Sequence, residues 1–201
     1  LIIEVRNFEP IKKSHPLNEI KIIIDPGHGS REYGAIGCLG DKEKDINLAI
    51  ALKLEDKLKK SGAQVLMTRN DDSEIALHDR VKFANKNEAQ IFVSIHNNAL
   101  PDILADKKRS GTEVYYFYPQ SRILAKSILN SITAEMNLNN NGIKQQSFAV
   151  IRNTYCLSIL IEIAYIINPD DNAKLLDEKF QDGIADSIVH GLENYLNDVQ
   201  Q

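Results

Sequence analysis

The sequence predicts a single α/β domain built on a mostly parallel, twisted sheet of about six strands with helices on both faces. From Lys21 onward, short apolar segments alternate with longer segments whose apolar residues recur at helical spacing. Several of the short segments are apolar throughout, which is typical of strands covered on both faces. The length of 201 residues suits one domain with a sizeable core. We expect this domain to span residues 20–201, after a leading strand or linker at residues 1–19.

The predicted strands are short segments rich in β-branched, aliphatic and aromatic residues. Turn residues or predicted helices separate them, as expected for a sheet whose parallel strands are joined by helical crossovers. The segments lie at residues 22–24, 64–68, 91–95, 113–118, 148–151 and 158–163.

The clearest predicted helix lies between the first two strands. Its N-cap is expected at Asp41, and Gly62 suits the position just beyond its end. Further helices are expected at residues 75–87, 121–136 and about 178–196. The first helix has an apolar stripe at four-residue spacing, widened by two leucines: Ile46, Ile50, Leu54 and Leu58, with Leu48 and Leu52.

Composition excludes several classes of protein. A net charge of -4 gives no basic surface for nucleic acid. No segment is long and apolar enough to span a bilayer, and we expect no signal peptide within these residues. The two cysteines, Cys38 and Cys156, do not establish a disulfide framework, and Cys38 is expected to be a small, semi-buried thiol. Because the chain begins at Leu1 rather than Met, we expect a processed or trimmed form.

Two predicted strands each deliver a histidine just past their C-terminal ends. Residues 22–24 lead into Asp25-Pro-Gly-His28, and residues 92–95 lead into His96. In an open α/β sheet, ligands bind at this edge because the loops diverge there. Glu43, at the start of the first helix, is joined to His28 by a Gly-rich loop that can fold back over the strand end. Two imidazoles and one carboxylate are a ligand set of catalytic zinc, so the sequence predicts a zinc hydrolase.

Glu162 lies in the most apolar predicted strand. A carboxylate there is costly to bury unless it is paired or placed at the strand end beside a cation. If that end faces the metal, Glu162 is the natural general base. The alternative is a glutamate on an edge strand that faces solvent. The following segment, Asn168-Pro-Asp-Asp, is expected to end the strand and cap another helix.

The roles of Asp25 and Asn98 stay open. Asp25 either accepts a hydrogen bond from a ligand imidazole, as metal sites commonly need, or caps the turn that follows it. The turn is slightly favoured, and Asn98 has the same ambiguity. The remaining histidines are expected to be solvated rather than ligands: His15, His78 and His190.

The chain resembles the catalytic domain of the zinc-dependent N-acetylmuramoyl-L-alanine amidases, peptidoglycan hydrolases of bacteria and their phages. The resemblance covers nearly everything from Lys21 to Leu196, in the order of the family's motifs. The matching segments are Ile24-Asp-Pro-Gly-His-Gly, Gly34-Ala-Ile-Gly, Glu43-Lys-Asp-Ile-Asn-Leu-Ala, Thr68-Arg69, Arg80-Val with Ala84-Asn85, Val93-Ser-Ile-His-Asn-Asn-Ala, Ile161-Glu-Ile and Asn168-Pro-Asp.

The resemblance implies that His28, Glu43 and His96 bind one Zn²⁺ per chain and that Glu162 is the catalytic carboxylate. It implies hydrolysis of the amide between the lactyl group of N-acetylmuramic acid and the L-Ala of the stem peptide. Peptidoglycan is then the partner, the location is extracytoplasmic (periplasm, cell wall or secreted), and the protein is expected to be a monomer. The family fold is a single α/β domain with a sheet of about six strands.

Three segments depart from the family pattern. Ser30 replaces the usual second Gly after the His, and Leu157 stands where a Pro is common. Ala164-Tyr165 replaces the familiar Gly-Phe after the catalytic Glu, which could alter the pocket wall. None of these changes removes a predicted ligand.

Three other functions fit part of the pattern. A zinc carboxypeptidase-like peptidase uses the same metal set, but it also needs a cation for a free C-terminal carboxylate. Arg69, Arg80 and Arg152 lie in no recognisable clamp. A non-catalytic, metal-stabilised cell-wall-binding module would not need Glu162. A phosphate site at residues 27–29 lacks the Gly-Lys-Ser/Thr ending of phosphate loops.

The segment after His96 bears on regulation. Some members of the family carry a long insertion there, whose helix covers the zinc until a partner removes it. Only residues 100–110 separate Ala99 from the next predicted strand, whereas a three-turn helix alone takes about eleven residues. The sequence therefore predicts a site that is open to solvent.

Overall fold

The computed structural model describes residues 15–100 and 108–199 and contains a six-stranded sheet with helices packed on it. The strands are β1 (Lys21–Pro26), β2 (Gln64–Met67), β3 (Ile91–Asn98), β4 (Thr112–Tyr116), β5 (Asn140–Gln145) and β6 (Leu157–Tyr165). The helices are α1 (Glu43–Lys60), α2 (Leu77–Lys86), α3 (Arg122–Glu135), α4 (Ala149–Arg152), α5 (Pro169–Leu175) and α6 (Glu178–Asp198). A 3-10 turn lies at Pro119–Ser121.

The strands lie in the order β2-β1-β3-β6-β4-β5. All neighbouring pairs are parallel except β4 and β6, which are antiparallel. β1, β3 and β6 lie inside the sheet and are almost entirely buried, which explains their apolar sequences. The predicted fold class, a single α/β domain with a mostly parallel sheet of six strands, is confirmed.

The two faces of the sheet are covered unequally. Residues of α1, α3, α5 and α6 form the larger hydrophobic cluster on one face. The other face carries a smaller cluster, in which Ala84 of α2 and Val150 of α4 pack with Phe92 and Leu160 of the sheet. Because side chains alternate along a strand, residues 96 and 162 project from the same face as Phe92 and Leu160. The candidate site therefore lies on the face that has fewer helices.

One strand prediction is wrong, and one strand was not predicted. Residues 148–151 overlap the short helix α4, whose Val150 and Ile151 are apolar because they pack into the smaller cluster. The missing strand is β5, at the edge of the sheet. Its sequence, NNGIKQ, is mostly polar because its side chains are half-buried or exposed. An edge strand of this kind carries little of the hydrophobic pattern on which the prediction depends.

The helix predictions are confirmed to within about two residues, which is the usual uncertainty of helix ends. The predicted N-cap at Asp41 is wrong, because α1 begins at Glu43 with Lys42 as its N-cap. Asp41 instead accepts a hydrogen bond from Asn172 Nδ2 at 2.7 Å. Leu52 is 40% exposed and does not widen the buried stripe of α1.

Two other helix signals are confirmed. Gly62 follows the C-cap of α1 with a φ of 87°, a conformation that favours glycine. Asn168 caps α5, and its side chain accepts hydrogen bonds from the backbone N–H groups of Asp170 and Asp171.

The start of the chain is described only in part. The apolar run predicted as a leading strand lies in residues 1–14, outside the described residues, and the domain boundary at residue 20 stays a prediction. Leu17 is fully buried in the larger cluster, and Glu19 N donates to Gly62 O at 3.0 Å. Among the helices of residues 15–100 and 108–199, none has the length and hydrophobicity needed to cross a membrane.

Candidate metal centre and active site

His28, Glu43 and His96 come together although they are far apart in the sequence. β1 and β3 are neighbours, so the residues that follow β1 lie beside the end of β3. Glu43 Oε2 lies 3.2 Å from His28 Nε2, and Glu43 Oε1 lies 3.0 Å from His96 Nδ1. One ligand atom from each residue lies within 4.8 Å of the other two. Two imidazole nitrogens and a carboxylate oxygen at this spacing fit a divalent metal ion.

The carboxylate of Glu43 is held from several sides. Its Oε1 accepts hydrogen bonds from the backbone N–H of Asn97 at 3.1 Å and from Asn47 Nδ2 at 3.2 Å. Burial raises the pKa of Glu43, but its hydrogen bonds with His28 and His96 outweigh burial and hold the pKa well below its usual range. Glu43 is therefore an ionised carboxylate that is oriented toward both imidazoles.

Two glycines allow the loop between His28 and α1 to pack against these side chains. A Cβ at Gly27 would lie 2.2 Å from a ring atom of His96. A Cβ at Gly34, whose φ is 69°, would lie 2.4 Å from Glu43 Oε2. The next residue, Ala35, donates its N–H to Glu43 Oε2 at 2.9 Å. Glycine is thus required at both positions for the side chains to meet.

Two buried arginines hold the backbone that carries His28. Arg80 donates to Pro26 O and to His28 O, both at 2.7 Å. Arg69 donates to Pro26 O at 3.0 Å and to Gly27 O at 2.9 Å. These contacts support a strained segment, because His28 has a φ of 62°, which residues with a side chain rarely adopt. The sequence alone did not indicate this supporting role for either arginine.

Asp25 is fully buried beneath the same segment. Its Oδ1 accepts hydrogen bonds from Arg80 Nη1 at 2.7 Å and Thr68 Oγ1 at 2.6 Å, and its Oδ2 accepts one from Ser94 Oγ at 2.8 Å. Among the described residues, the Asp25 carboxylate bonds neither to a ligand imidazole nor to the backbone of the turn that follows it, the two roles considered from the sequence. Asp25 is therefore linked to the backbone of His28 through Arg80.

Glu162 lies at the centre of the sheet and not on an edge. In the β-ladder its neighbours are His96 on one side and Glu113 on the other. Its Oε2 is buried and has no hydrogen-bond partner among the described residues. Burial, and then the negative charges of Glu43 and Glu113, raise the pKa of Glu162 well above its usual range. This carboxylate is suited to accepting and holding a proton.

Glu113 is a second buried carboxylate next to Glu162, and the sequence indicated only that it begins a strand. Burial raises the pKa of Glu113, but hydrogen bonds with Lys144, Tyr115 and Tyr165 outweigh burial and lower the pKa. The signal that could have identified it is the one used for Glu162, a carboxylate in an apolar and aromatic strand. Its donors are Lys144 Nζ at 2.8 Å, Tyr165 OH at 2.9 Å, Tyr115 OH at 2.5 Å, Arg109 Nη2 at 3.2 Å and Asn98 Nδ2 at 3.2 Å.

Two residues singled out from the sequence therefore meet at Glu113. Asn98 lines the cleft beside the metal ligands, and its amide is held by Glu113. Tyr165, one of the departures from the family pattern, is not among the residues that line the cleft. Its hydroxyl donates a hydrogen bond to Glu113. Tyr165 is therefore connected to the cleft wall only through Glu113 and Asn98.

The three candidate ligands and Glu162 line one cleft of about 680 Å³. Polar residues, including Asn97 and Asn98, line part of it. The remainder is apolar, and its side chains come from the segment before α2, from the start of α4 and from β6: Ile75, Leu77, Phe148, Ala149, Val150 and Leu160.

The other histidines and the cysteines lie outside this site. His15 is exposed, and the side chains of His78 and His190 are 65% and 53% exposed, as predicted for solvated residues. Cys38 is exposed, so the prediction of a semi-buried thiol is wrong. Neither Cys38 nor Cys156 belongs to the described group of possible metal ligands, and neither forms a disulfide among the described residues.

An α/β fold that places possible metal ligands and a buried carboxylate in one cleft defines a hydrolytic enzyme with a candidate metal centre. Residues 22–194 match the family model described as N-acetylmuramoyl-L-alanine amidase (Amidase_3), and the chain belongs to this family. The resemblance drawn from the motifs is confirmed, and the enzyme class is that of the N-acetylmuramoyl-L-alanine amidases.

Similar proteins support this assignment. The chain is 38% identical over 188 residues to the uncharacterized protein YqiI of Bacillus subtilis, covering 92% of this chain and 88% of YqiI. It is 35% identical over 186 residues to the probable cell wall amidase LytH of Staphylococcus epidermidis, covering 92% of this chain but only 61% of LytH. A crystal structure of N-acetylmuramoyl-L-alanine amidase from Clostridium difficile matches 90% of this chain and 98% of that chain, with a TM-score of 0.85 and 36% identity.

Proposed function

We propose that the protein hydrolyses the amide bond between the lactyl group of N-acetylmuramic acid and the L-Ala of the peptidoglycan stem peptide, with Zn²⁺ held by His28, Glu43 and His96. The supporting observation is that these three side chains share a cleft with Glu162, whose Oε2 is buried and unpartnered among the described residues. Zinc supplies a Lewis acid that lowers the pKa of water and polarises a carbonyl group.

Glu162 moves the proton in this proposal. Its Oε2 takes a proton from the attacking water and later delivers it to the nitrogen of the departing amine. The burial that raises the pKa of Glu162 supports this role, because the carboxyl group must keep the proton between the two events. The apolar side chain of Leu160, two residues away on the same face of β6, helps to keep bulk water from this proton.

Asn98 and Asp25 have different proposed roles. Asn98 lines the cleft and uses one amide hydrogen for Glu113, so its second amide hydrogen is proposed to donate to the substrate oxygen that becomes negatively charged. Asp25 is proposed to keep Arg80, and through it the backbone of His28, in the position that metal binding needs.

None of the three arginines considered for the peptidase alternative is placed to bind a free C-terminal carboxylate. Arg69 and Arg80 are buried, and their guanidinium groups donate to backbone carbonyls below the site. Arg152 is exposed, lies outside the cleft lining and donates to Ser147 Oγ. A wall-binding module without catalysis would have no use for the buried carboxylate of Glu162, which is costly to maintain.

The location and partners follow from the same proposal. LytH, which is similar to this chain, is named a probable cell wall amidase, and peptidoglycan lies outside the cytoplasm. We therefore propose an extracytoplasmic protein that acts on peptidoglycan as a monomer.

The experiment is digestion of purified peptidoglycan with the zinc-loaded protein, followed by mass spectrometry of the soluble products. We expect peptides with a new amino terminus at L-Ala and glycan with free lactyl carboxyl groups. The Glu162→Gln variant is the control for contaminating hydrolases. If the protein hydrolyses free peptides but releases no products from peptidoglycan, the result would support the peptidase instead.

A further inference from the structure

The cleft has an apolar arm, defined by six of its lining residues. Leu160 of β6 forms part of the arm, and two separate segments supply the rest. Apart from Leu77, which is 59% exposed, these side chains are buried or half-buried. The members are Ile75, just before α2, Leu77, the first residue of α2, Phe148, the N-cap of α4, Ala149 and Val150 of α4, and Leu160 of β6.

The arm begins next to the proposed reaction centre. Leu160 and Glu162 are two residues apart on one face of β6, so their Cα atoms are separated by roughly 7 Å. A substrate group attached next to the scissile amide can therefore reach the arm. The arm is continuous with the site in one cleft and needs no separate opening.

The two segments beside the arm are tied together by hydrogen bonds. Asn85 of α2 donates to Asn153 O at 3.1 Å and accepts from Tyr155 N at 3.0 Å, just beyond α4. Ala84 of α2 and Val150 of α4 also pack into one hydrophobic cluster. The arm is therefore formed before substrate binds, so little conformational entropy is lost on binding.

The chemistry of the arm selects among the parts of the substrate. A sugar presents several hydroxyl groups, and each needs a hydrogen-bond partner when it leaves water. The arm offers hydrocarbon side chains, and the nearby guanidinium of Arg80 is already bonded to Asp25 and to backbone carbonyls. An aliphatic side chain needs no partner and gains by leaving water. The arm therefore fits the peptide and not the glycan.

We propose that the apolar arm binds the side chain of the first peptide residue, next to the scissile amide, and accepts aliphatic side chains larger than the methyl group of alanine. This inference rests on the proposed function, because it takes Glu162 as the reaction centre.

The first test compares muramoyl-dipeptides that differ only in the first residue: alanine, serine, 2-aminobutyrate and norvaline. Serine and 2-aminobutyrate have nearly the same size, but one ends in a hydroxyl group and the other in a methyl group. We expect kcat/KM to rise about fourfold for each added methylene from alanine to norvaline, and to be lower for serine than for 2-aminobutyrate. Equal values for serine and 2-aminobutyrate would overturn the proposal.

The second test changes the arm. Ala149→Leu adds bulk at a half-buried lining position and is expected to lower the ratio of kcat/KM for norvaline to kcat/KM for alanine. Leu77→Gln is expected to reduce the ratio of norvaline to alanine turnover. Its matched control is Leu52→Gln, because Leu52 is also an exposed leucine on a helix but lies outside the cleft. If an arm variant lowers kcat/KM by the same factor for all substrates, the effect is structural and the proposal is contradicted.

Failure of the arm and failure of the proposed function give different results. Calorimetric binding of the same dipeptides to the Glu162→Gln variant reports on the arm without turnover. Tighter binding with longer side chains supports the arm even if no dipeptide is hydrolysed, a result that would count against the proposed reaction. If the alanine compound is hydrolysed but neither kcat/KM nor binding affinity changes with side-chain length, the proposal for the arm is wrong and the proposed function stands.

Discussion

The metal proposal depends on three side chains that meet near the ends of β1 and β3. Glu43 contacts each imidazole through a different carboxylate oxygen, so loss of either histidine removes one of the three proposed ligands and leaves one oxygen of Glu43 without its imidazole partner. We expect His28→Ala and His96→Ala to lose bound zinc and activity, measured by atomic absorption and by peptidoglycan release. Added zinc should restore activity to the chelated wild type. His78→Ala changes an exposed histidine and should keep its zinc, whereas full activity of exhaustively chelated protein would exclude the metal proposal.

The role of Glu162 can be separated from metal binding. Glu162→Gln keeps the size of the side chain but cannot accept a proton, so we expect turnover to fall by about 10²–10⁴-fold with zinc content and folding unchanged. The matched control is Glu74→Gln, since Glu74 is an exposed carboxylate that lines the same cleft. Normal turnover in Glu162→Gln, or loss of its zinc, would show that the assigned role is wrong.

At the scale of elements, the end of β1 depends on Arg80. Its guanidinium donates to Ile75 O, Pro26 O, His28 O and the Asp25 carboxylate, a set that the single ammonium of lysine cannot reproduce. We expect Arg80→Lys to weaken zinc binding about tenfold or more, measured by competition with a chelator.

The control for Arg80→Lys is Arg152→Lys, because Arg152 is an exposed arginine outside the cleft lining. Zinc affinity that is unchanged in Arg80→Lys, with the protein still folded, would mean that the backbone of His28 does not need this support.

Glu113 links β4, β5 and β6, so its ionisation affects the stability of that side of the sheet. Its pKa in the folded protein lies below the ordinary value of 4.5, so the ionised group stabilises the fold above that pH, and this stabilisation is lost as the pH falls further. We expect Glu113→Gln to lower the free energy of unfolding by about 2 kcal/mol near neutral pH. Thermal unfolding at several pH values measures this.

The difference between wild type and Glu113→Gln should shrink as the pH falls below 4.5. Glu88→Gln, at an exposed glutamate, should show no comparable change with pH. A difference that stays constant from neutral to acid pH would indicate lost packing and not lost ionisation.

The sequence predicts those elements whose hydrophobic pattern is strong. β1, β3 and β6 lie inside the sheet, so burial on both faces requires apolar residues, and the predictions for them are confirmed. β5 was missed because an edge strand can be polar. Residues 148–151 were assigned to a strand because a single buried helical turn and a short buried strand have the same apolar appearance.

The same limit applies to the site. His28, Glu43 and His96 were identified because their chemistry and position next to strands are visible in the sequence, and the structure brings them together. The supporting roles of Arg69 and Arg80 were not predicted. These depend on which backbone carbonyls the long side chains reach after folding, and spacing along the chain does not contain that information.

For the whole molecule, the unequal covering of the sheet determines where substrate can enter. The larger hydrophobic cluster supports one face, while the smaller cluster, with α2 and α4, leaves the cleft on the other. Leu77 lines this cleft and is 59% exposed, so the cleft reaches the protein surface. The larger hydrophobic cluster and the cleft therefore lie on opposite faces of the sheet.

We therefore expect the protein to act on purified peptidoglycan without an activating partner. This expectation is supported by the segment after His96, because residues 100–110 are too few for a covering helix with its connections. Residues 101–107 lie outside the described part of the chain, so this stays a prediction. The measurement is the initial rate of dye release from labelled peptidoglycan, with Glu162→Gln as the background.

The leading residues provide the sharpest comparison. Residues 1–14 can be removed without cutting into the described structure, whereas Leu17 must be kept because it is fully buried. If the site is open, the full chain and the shortened chain should release dye at similar rates. A shortened chain that is much faster would show that the leading residues cover the cleft. A protein that stays inactive until a second protein is added would contradict the open-site prediction, because access would then depend on a partner and not on this face of the sheet.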